Sequence, residues 1–400
     1  MQRPLHFLII LACTFGGLCL IAVALTIAVD PYYIVGSPLI HGWNRLKPVA
    51  YDNAAAAKTY LLERTQPRTL LLGNSRIEVG FDPESPQWPA SMRPVFNAGL
   101  SGRDLSISAK MLEDALATPG LKHVLVGVDL LDFLQVDAGP APSGPVHAGR
   151  DQERMRVLPD LSANPGKFLA RAKDVLGATL TLNAVTGSFA TILAQYKAAP
   201  TTMTLLGFNP LDEYRAYTRQ HGFRDLFDQK QAQYVARFPR YPHPDFADPD
   251  RTSSFRSLRE IVATALAHDL DLTLIVYPYH AWVMDLLRQN DIWSSSEAWK
   301  HALVRVVAEL DPSHRVRIVD FSGYNSYTTE RVPEPGDTRN EVHWYWEPGH
   351  FRPALGDRII CRLYGGESNG FGRDLAPLTV SRVITSIREE AALVAAAARN

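Results

Sequence analysis

The first long apolar run, Leu5 to Val29, reads LHFLIILACTFGGLCLIAVALTIAV, with His6 its only ionisable side chain apart from two thiols. As a helix it extends about 37 Å at 1.5 Å per residue, enough to cross a hydrocarbon core with some tilt. It outruns the roughly 7–15-residue apolar stretch of a cleaved signal peptide. Residues 1–30 are therefore expected to persist as a transmembrane anchor. Arg3 before the run and Asp30 after it favour an amino terminus inside, a bias that Arg45 and Lys47 blunt. Tyr32 and Tyr33 suit an interfacial belt.

Beyond the anchor the pattern changes to short apolar runs separated by amphipathic ones. Residues 31–67 read as a connecting stalk with a short helix around Tyr51–Arg64. Strand runs follow at Thr69–Leu72, Val95–Asn97, His123–Val128, Leu272–Tyr277 and Val316–Val319. Helical spacing marks Ser106–Leu116, Leu258–Ala267 and Ala298–Leu310. Short unbroken apolar strands alternating with helices predict an α/β fold, a doubly wound, mostly parallel five-stranded sheet buried on both faces. The body is assigned to residues 68–133 and 256–365. Residues 134–255 are too long for a simple crossover and read as a mostly helical insertion or cap. Its Tyr214, Arg215, Tyr217, Arg219, Phe223 and Arg224 suit either a substrate groove or a solvated amphipathic helix. Residues 366–400 form a tail, with a surface helix over Val380–Ala398.

Composition narrows the field. With 41 Lys+Arg against 42 Asp+Glu, the net charge of −1 provides no general attraction to nucleic acid. Two of the three cysteines, Cys13 and Cys19, lie inside the anchor run, leaving Cys361 alone. Neither an intramolecular disulfide framework nor a cysteine-rich zinc module is available to the body. There is no P-loop, and Gly99-Leu100-Ser101-Gly102 does not complete a dinucleotide fingerprint, so no cofactor is expected.

In open α/β sheets ligands sit beyond the carboxyl ends of the strands. Three segments there carry candidate chemistry. Ser75 follows the first strand within Gly73-Asn74-Ser75-Arg76, a turn that is not a GxSxG elbow. The second strand ends in Asn97-x-Gly99-x-x-Gly102, where small residues let backbone N–H groups approach an oxyanion. Near the carboxyl end lies Trp344-Tyr345-Trp346-Glu347-Pro348-Gly349-His350. A serine hydroxyl needs an imidazole to take its proton, and an acid to orient that imidazole. Glu347 and His350, three residues apart on a turn, can supply both. A zinc site of His343, Glu347 and His350 is disfavoured, because Pro348-Gly349 breaks the helix that would align them and no HExxH occurs. Tyr277-Pro278-Tyr279-His280 and Trp344–Trp346 read either as aromatic platforms for a sugar or as packed strand ends.

The Gly-x-Ser-Arg, Asn-x-Gly-x-x-Gly and acid-x-x-His motifs, in that order, resemble the SGNH (GDSL-like) hydrolase superfamily. They are most similar to its membrane-anchored periplasmic branch related to alginate-acetylation-type proteins. The resemblance spans roughly residues 68–133 and 270–365. It implies Ser75 as nucleophile, His350 as general base, Glu347 as the orienting acid, and backbone N–H groups of Ser75 and Gly102 as oxyanion donors. Two departures stand out. The family commonly has Asp where this chain has Glu347. It also has an oxyanion-donating Asn after the third strand, where this chain has Asp129. An ionised aspartate only accepts hydrogen bonds, so Asn74, Arg76 and Tyr279 become candidate replacement donors near Gly99. Asp129 and Asp132 also read as ordinary helix caps.

The expectation is a serine acyl-ester hydrolase or O-acetyltransferase. It would sit in the cell inner membrane as a single-pass protein, its body on the periplasmic side. Its partners would be an acylated or acceptor polysaccharide, the membrane and envelope-assembly proteins. The contrasting expectation, favoured by Asp129, is a catalytically silent binding or scaffold subunit of an envelope-polysaccharide assembly.

Overall fold

The computed structural model describes residues 2–134, 152–197, 203–366 and 370–397. The parts of the expected insertion at 135–151 and 198–202, and residues 367–369 and 398–400 of the tail, lie outside them.

The apolar run forms a single helix, α1 (Gln2–Val29). It is long and apolar enough to cross a membrane. The connection that follows is packed into the body. A 3-10 turn (Pro48–Asn53) leads into α2 (Ala54–Thr65), whose Ala57, Leu61 and Leu62 join the main core.

The five apolar runs form the parallel strands β1 (Thr69–Leu72), β2 (Val95–Asn97), β3 (His123–Val128), β4 (Asp271–Val276) and β5 (Arg317–Asp320). Their order is β2-β1-β3-β4-β5. Alternation along each strand serves two cores. Leu70, Leu72, Val124, Val126, Leu272, Leu274 and Ile318 enter one, whereas Leu71, Leu125, Ile275 and Val319 enter the other. The first core is closed by α2, α4 (Leu105–Leu116), α10 (Ser253–Ala267), α11 (Ala281–Gln289), α12 (Trp293–Leu310) and α14 (Val380–Ala397). The second is closed by α3 (Ser75–Gly80), α13 (Pro353–Ile360) and a hairpin of β6 (Tyr345–Glu347) and β7 (His350–Phe351).

The sheet has six strands, not the expected five. Its sixth, β8 (Arg373–Asp374), pairs antiparallel to Val319 and Asp320 at the edge. Two polar residues held by edge hydrogen bonds have no apolar period to mark them as a strand.

Between β3 and β4 lie α5 (Leu130–Phe133), α6 (Lys167–Thr179), α7 (Leu182–Ala194), α8 (Asp212–His221) and α9 (Phe223–Arg237). These helices divide their packing. α6 and α7 lie against α1, whereas α9 packs on β6 and α11. On α14, Val383, Ile384, Ile387 and Ala391 are buried while the opposite face stays exposed.

Candidate active site

Three chain segments converge beyond the carboxyl ends of β1, β2 and β3. After Leu72 the chain reverses at Gly73, whose φ of +143° only glycine adopts readily. A Cβ there would also stand 2.6 Å from the Tyr277 hydroxyl. Asn74 caps α3, accepting the Arg76 N–H at 3.1 Å. Ser75 thus opens the helix, and no acceptor among the described residues takes its backbone N–H.

The second segment is the β6–β7 hairpin, turned by Pro348-Gly349. Its register sets Glu347 opposite His350. This pairing explains how acid and histidine three residues apart meet without a helix. His350 Nε2 lies 2.7 Å from Ser75 Oγ, 275 residues earlier in the chain. On the other side of the ring, Nδ1 meets Glu347 Oε1, while the Gly349 N–H donates to Glu347 Oε2 at 2.8 Å. An Nδ1–H held by a carboxylate leaves the Nε2 lone pair for the serine proton. Glu347 is fully buried; its burial would raise the carboxyl pKa. The His350 charge and hydrogen bond, then Gly349 and Arg76, hold it below the usual carboxylate value.

Helix α9 supports this hairpin from above. A Cβ on Gly349 would collide with the Tyr234 hydroxyl, so the turn and the helix fit only with glycine. Phe227 of α9 stacks edge-on against His280 and Trp282.

The third segment surrounds Asp129. This residue caps α5, accepting the Leu131 N–H at 3.1 Å. It also pairs with Arg76 at 2.5 Å and accepts the Tyr279 hydroxyl at 2.7 Å. Asn74 Nδ2 donates to Asp129 and to Asp132, both at 3.1 Å. The Arg76 guanidinium lies 4.5 Å from the Tyr279 ring centroid. Asn74, Arg76 and Tyr279 are therefore directed at Asp129 and stand beside the serine as a buried polar network. Burial would lower the Arg76 pKa, but the Asp129 charge, with Tyr279, Tyr234 and Tyr277 added to it, outweighs burial and the guanidinium stays charged. Asp132 is pushed well above the carboxylate range by burial and then by Asp129.

The loop after β2 is held in part by its own polar groups. The Gly99 N–H donates to Asn97 Oδ1 at 3.0 Å and is thereby engaged. Gly102 sits exposed at φ +68°, and no hydrogen bond among the described residues joins it to Ser75, His350 or Glu347. Asn97 Nδ2 reaches the carbonyls of Ile77 and Phe81, each at 2.8 Å, tying β2 to α3.

Below the loop lies an ion pair that sequence reasoning missed. Lys58 of α2 meets Glu78 of α3 at 2.9 Å with both side chains fully buried, and also donates to the Gly99 carbonyl. The other Glu78 oxygen accepts the Ser101 N–H at 3.2 Å and the Ser101 hydroxyl. Burial pushes the Lys58 pKa down against the pull of Glu78. A lysine in an Ala-rich helix gives no local sign of such a partner.

The aromatic platforms are not available. Tyr277, Tyr279, Tyr345 and Trp346 are all buried, because each packs beneath the hairpin or into a core. Trp344 is half-buried against Tyr327. In the insertion, Tyr217 and Arg224 are half-buried and bonded to Asp225 and Asp228, and the Arg224 guanidinium lies 5.1 Å from the Trp282 ring centroid. Arg215, Arg219 and Phe223 instead line a cleft of about 160 Å³ with Trp346 and Arg352.

A scan of protein-family models finds no match to this chain, and a search of curated proteins finds none either. A serine hydroxyl, an imidazole with its acceptor nitrogen on that hydroxyl and a buried carboxylate on the opposite nitrogen form a proton relay suited to nucleophilic acyl transfer.

Proposed function

We propose that this chain is a membrane-anchored serine acyl-ester hydrolase or O-acetyltransferase of the SGNH (GDSL-like) type, acting on a cell-envelope or exported polysaccharide. The observation that carries the reading is the continuous contact from Ser75 Oγ through His350 to Glu347. In this reading α1 spans the inner membrane once and the body stands on the periplasmic side, within reach of envelope-assembly proteins.

Ser75 Oγ attacks the acyl carbonyl carbon while its proton passes to His350 Nε2. Glu347 stabilises the resulting imidazolium. Collapse of the tetrahedral intermediate expels the alcohol oxygen, which takes that proton from His350. An acyl-Ser75 remains. Water, or a sugar hydroxyl, then attacks it with His350 again as base, regenerating the serine. The unspent Ser75 N–H is the oxyanion donor this chain provides itself. Asp129 does not act as a free anion at the site, because Arg76 compensates its charge.

The engagement of Asn74, Arg76 and Tyr279 with Asp129 supports a second reading, a silent binding or scaffold subunit. Treating the full chain with a fluorophosphonate probe separates the two. The enzyme reading expects covalent labelling and p-nitrophenyl acetate turnover that both vanish in Ser75→Ala. Neither signal in the unmodified chain would leave only the silent reading.

A further inference from the structure

Helices α6 and α7 carry an apolar face that the body leaves uncovered. Helix α7, LNAVTGSFATILA, has no charged side chain. Its small residues Ala184, Gly187, Ser188, Thr191 and Ala194 are buried, on the side packed against α1 and the 48–53 turn. Its bulky residues Leu182, Phe189 and Leu193 point outward, 77%, 54% and 65% exposed. On α6, Phe168 and Leu176 do the same at 84% and 53%. An ordinary surface helix hides its large apolar groups and shows small or polar ones; here the sizes are reversed.

The location of this face decides what covers it. Thr26, in the last turn of α1, donates its hydroxyl to the Thr179 carbonyl at 2.9 Å, and the Tyr32 hydroxyl donates to the Asn183 carbonyl at 2.9 Å. The elbow between α6 and α7 is thereby held level with the end of the anchor. Each helix has 13 residues, about 20 Å, which is short of the roughly 30 Å hydrocarbon core. They meet at 62°, and together they have the hydropathy of a membrane span. Of the three basic residues of α6, Lys173 is exposed and the other two are drawn inward. Lys167 and Arg171 turn back to Glu63 of the body, at 3.0 and 3.3 Å.

We propose that the α6–α7 elbow is a second membrane contact, lying beside α1 with its outer face in the headgroup and upper acyl layers of the bilayer. Its occupant is lipid. The uncharged α7, the outward aromatic and branched side chains and the continuity with α1 match an interfacial element, and the length of each helix precludes a separate span. The inference rests on α1 crossing the bilayer, and is independent of the chemistry at Ser75.

The test uses the full chain with Cys13, Cys19 and Cys361 replaced by serine, reconstituted into phosphatidylcholine–phosphatidylglycerol vesicles. Single cysteines are placed at Phe189→Cys or Leu176→Cys and carry a nitroxide. A variant that keeps Cys13, with only Cys19 and Cys361 replaced by serine, gives the lipid reference when labelled, and a label at Arg331→Cys, on an exposed loop, the aqueous reference. Collision rates with oxygen and with a water-soluble nickel chelate are then compared. Both elbow positions are expected to show an oxygen-to-nickel ratio several-fold above the Arg331→Cys label and approaching that at Cys13. A ratio equal to the aqueous reference overturns the proposal. So do low collision rates with both agents, which mean that protein covers the face, and an aqueous ratio at Cys13, which removes its premise.

Discussion

At the scale of single residues, the site is governed by which proton each buried group holds. Glu347→Gln keeps the size of the acid but no longer fixes the Nδ1–H tautomer of His350. Under the proposed chemistry its turnover should fall about 10,000-fold, read from initial rates of ester cleavage with the circular dichroism spectrum as a check on folding. His280 gives a stability test separate from catalysis. Its Nε2–H donates to the Glu330 carbonyl at 2.9 Å and its Nδ1 accepts the Trp282 N–H at 3.3 Å, an arrangement only the neutral ring can make. Burial pushes its pKa from 6.5 to about 4. Above pH 6.5 the ring is neutral in both folded and unfolded chains, and its contribution is complete. Between 6.5 and 4 the unfolded chain binds the proton first, so stability falls as pH falls, by on the order of 3 kcal/mol over the window. Chemical denaturation at pH 7 and pH 4.5 should show a smaller pH loss in His280→Gln than in the native chain. An equal loss in both would refute this assignment.

At the scale of elements, two ion pairs and one turn hold the site together. Asp129→Asn leaves Arg76 buried without its counter-charge and should cost about 3–5 kcal/mol, whereas pairing it with Arg76→Met should recover most of that. Urea midpoints of the two variants decide the matter. If the single variant is as stable as the native chain, Asp129 is a cap only. Gly349→Ala drives a methyl group into the Tyr234 hydroxyl and should displace His350 from Ser75. Adding Tyr234→Phe should restore part of the lost activity, because it removes the colliding oxygen. The parallel strands were legible because each is a short, largely apolar run that ends at Gly, Asn or Asp or, after β4, at Tyr277-Pro278. Glu347 and His350 were legible because a tight turn fixes residues three apart. Arg76 with Asp129 and Lys58 with Glu78 were not: partners 53 and 20 residues apart leave no periodic trace. The aromatics of Tyr277–Tyr279 and Tyr345–Trp346 left two readings open for a related reason, since composition does not say which side of a strand end is covered; their burial selects packed strand ends.

At the scale of the whole molecule, α1 and the body form one packed unit. Asp30 accepts the N–H groups of Ile34 at 2.9 Å and Gly36 at 2.8 Å, and Lys47 donates to the carbonyls of Val29 and Asp30, both at 2.7 Å. The exit from α1 is therefore a folded joint and not a loose tether. Membranes containing the full chain should retain it through alkaline carbonate extraction; release into the supernatant would mean that α1 does not span. The expected stalk over 31–67 is part of this joint, which a segment of mixed Ala, Pro and Tyr could not announce.

The distance along the chain between Ser75 and His350 has a consequence in time. A ribosome makes the hydroxyl 275 residues before the ring that abstracts its proton. Through most of translation the segments that become the first three strands have been made, while the serine is an ordinary alcohol. Whatever reactivity it gains begins only when the hairpin closes over it, so the growing polypeptide leaves the ribosome chemically inert.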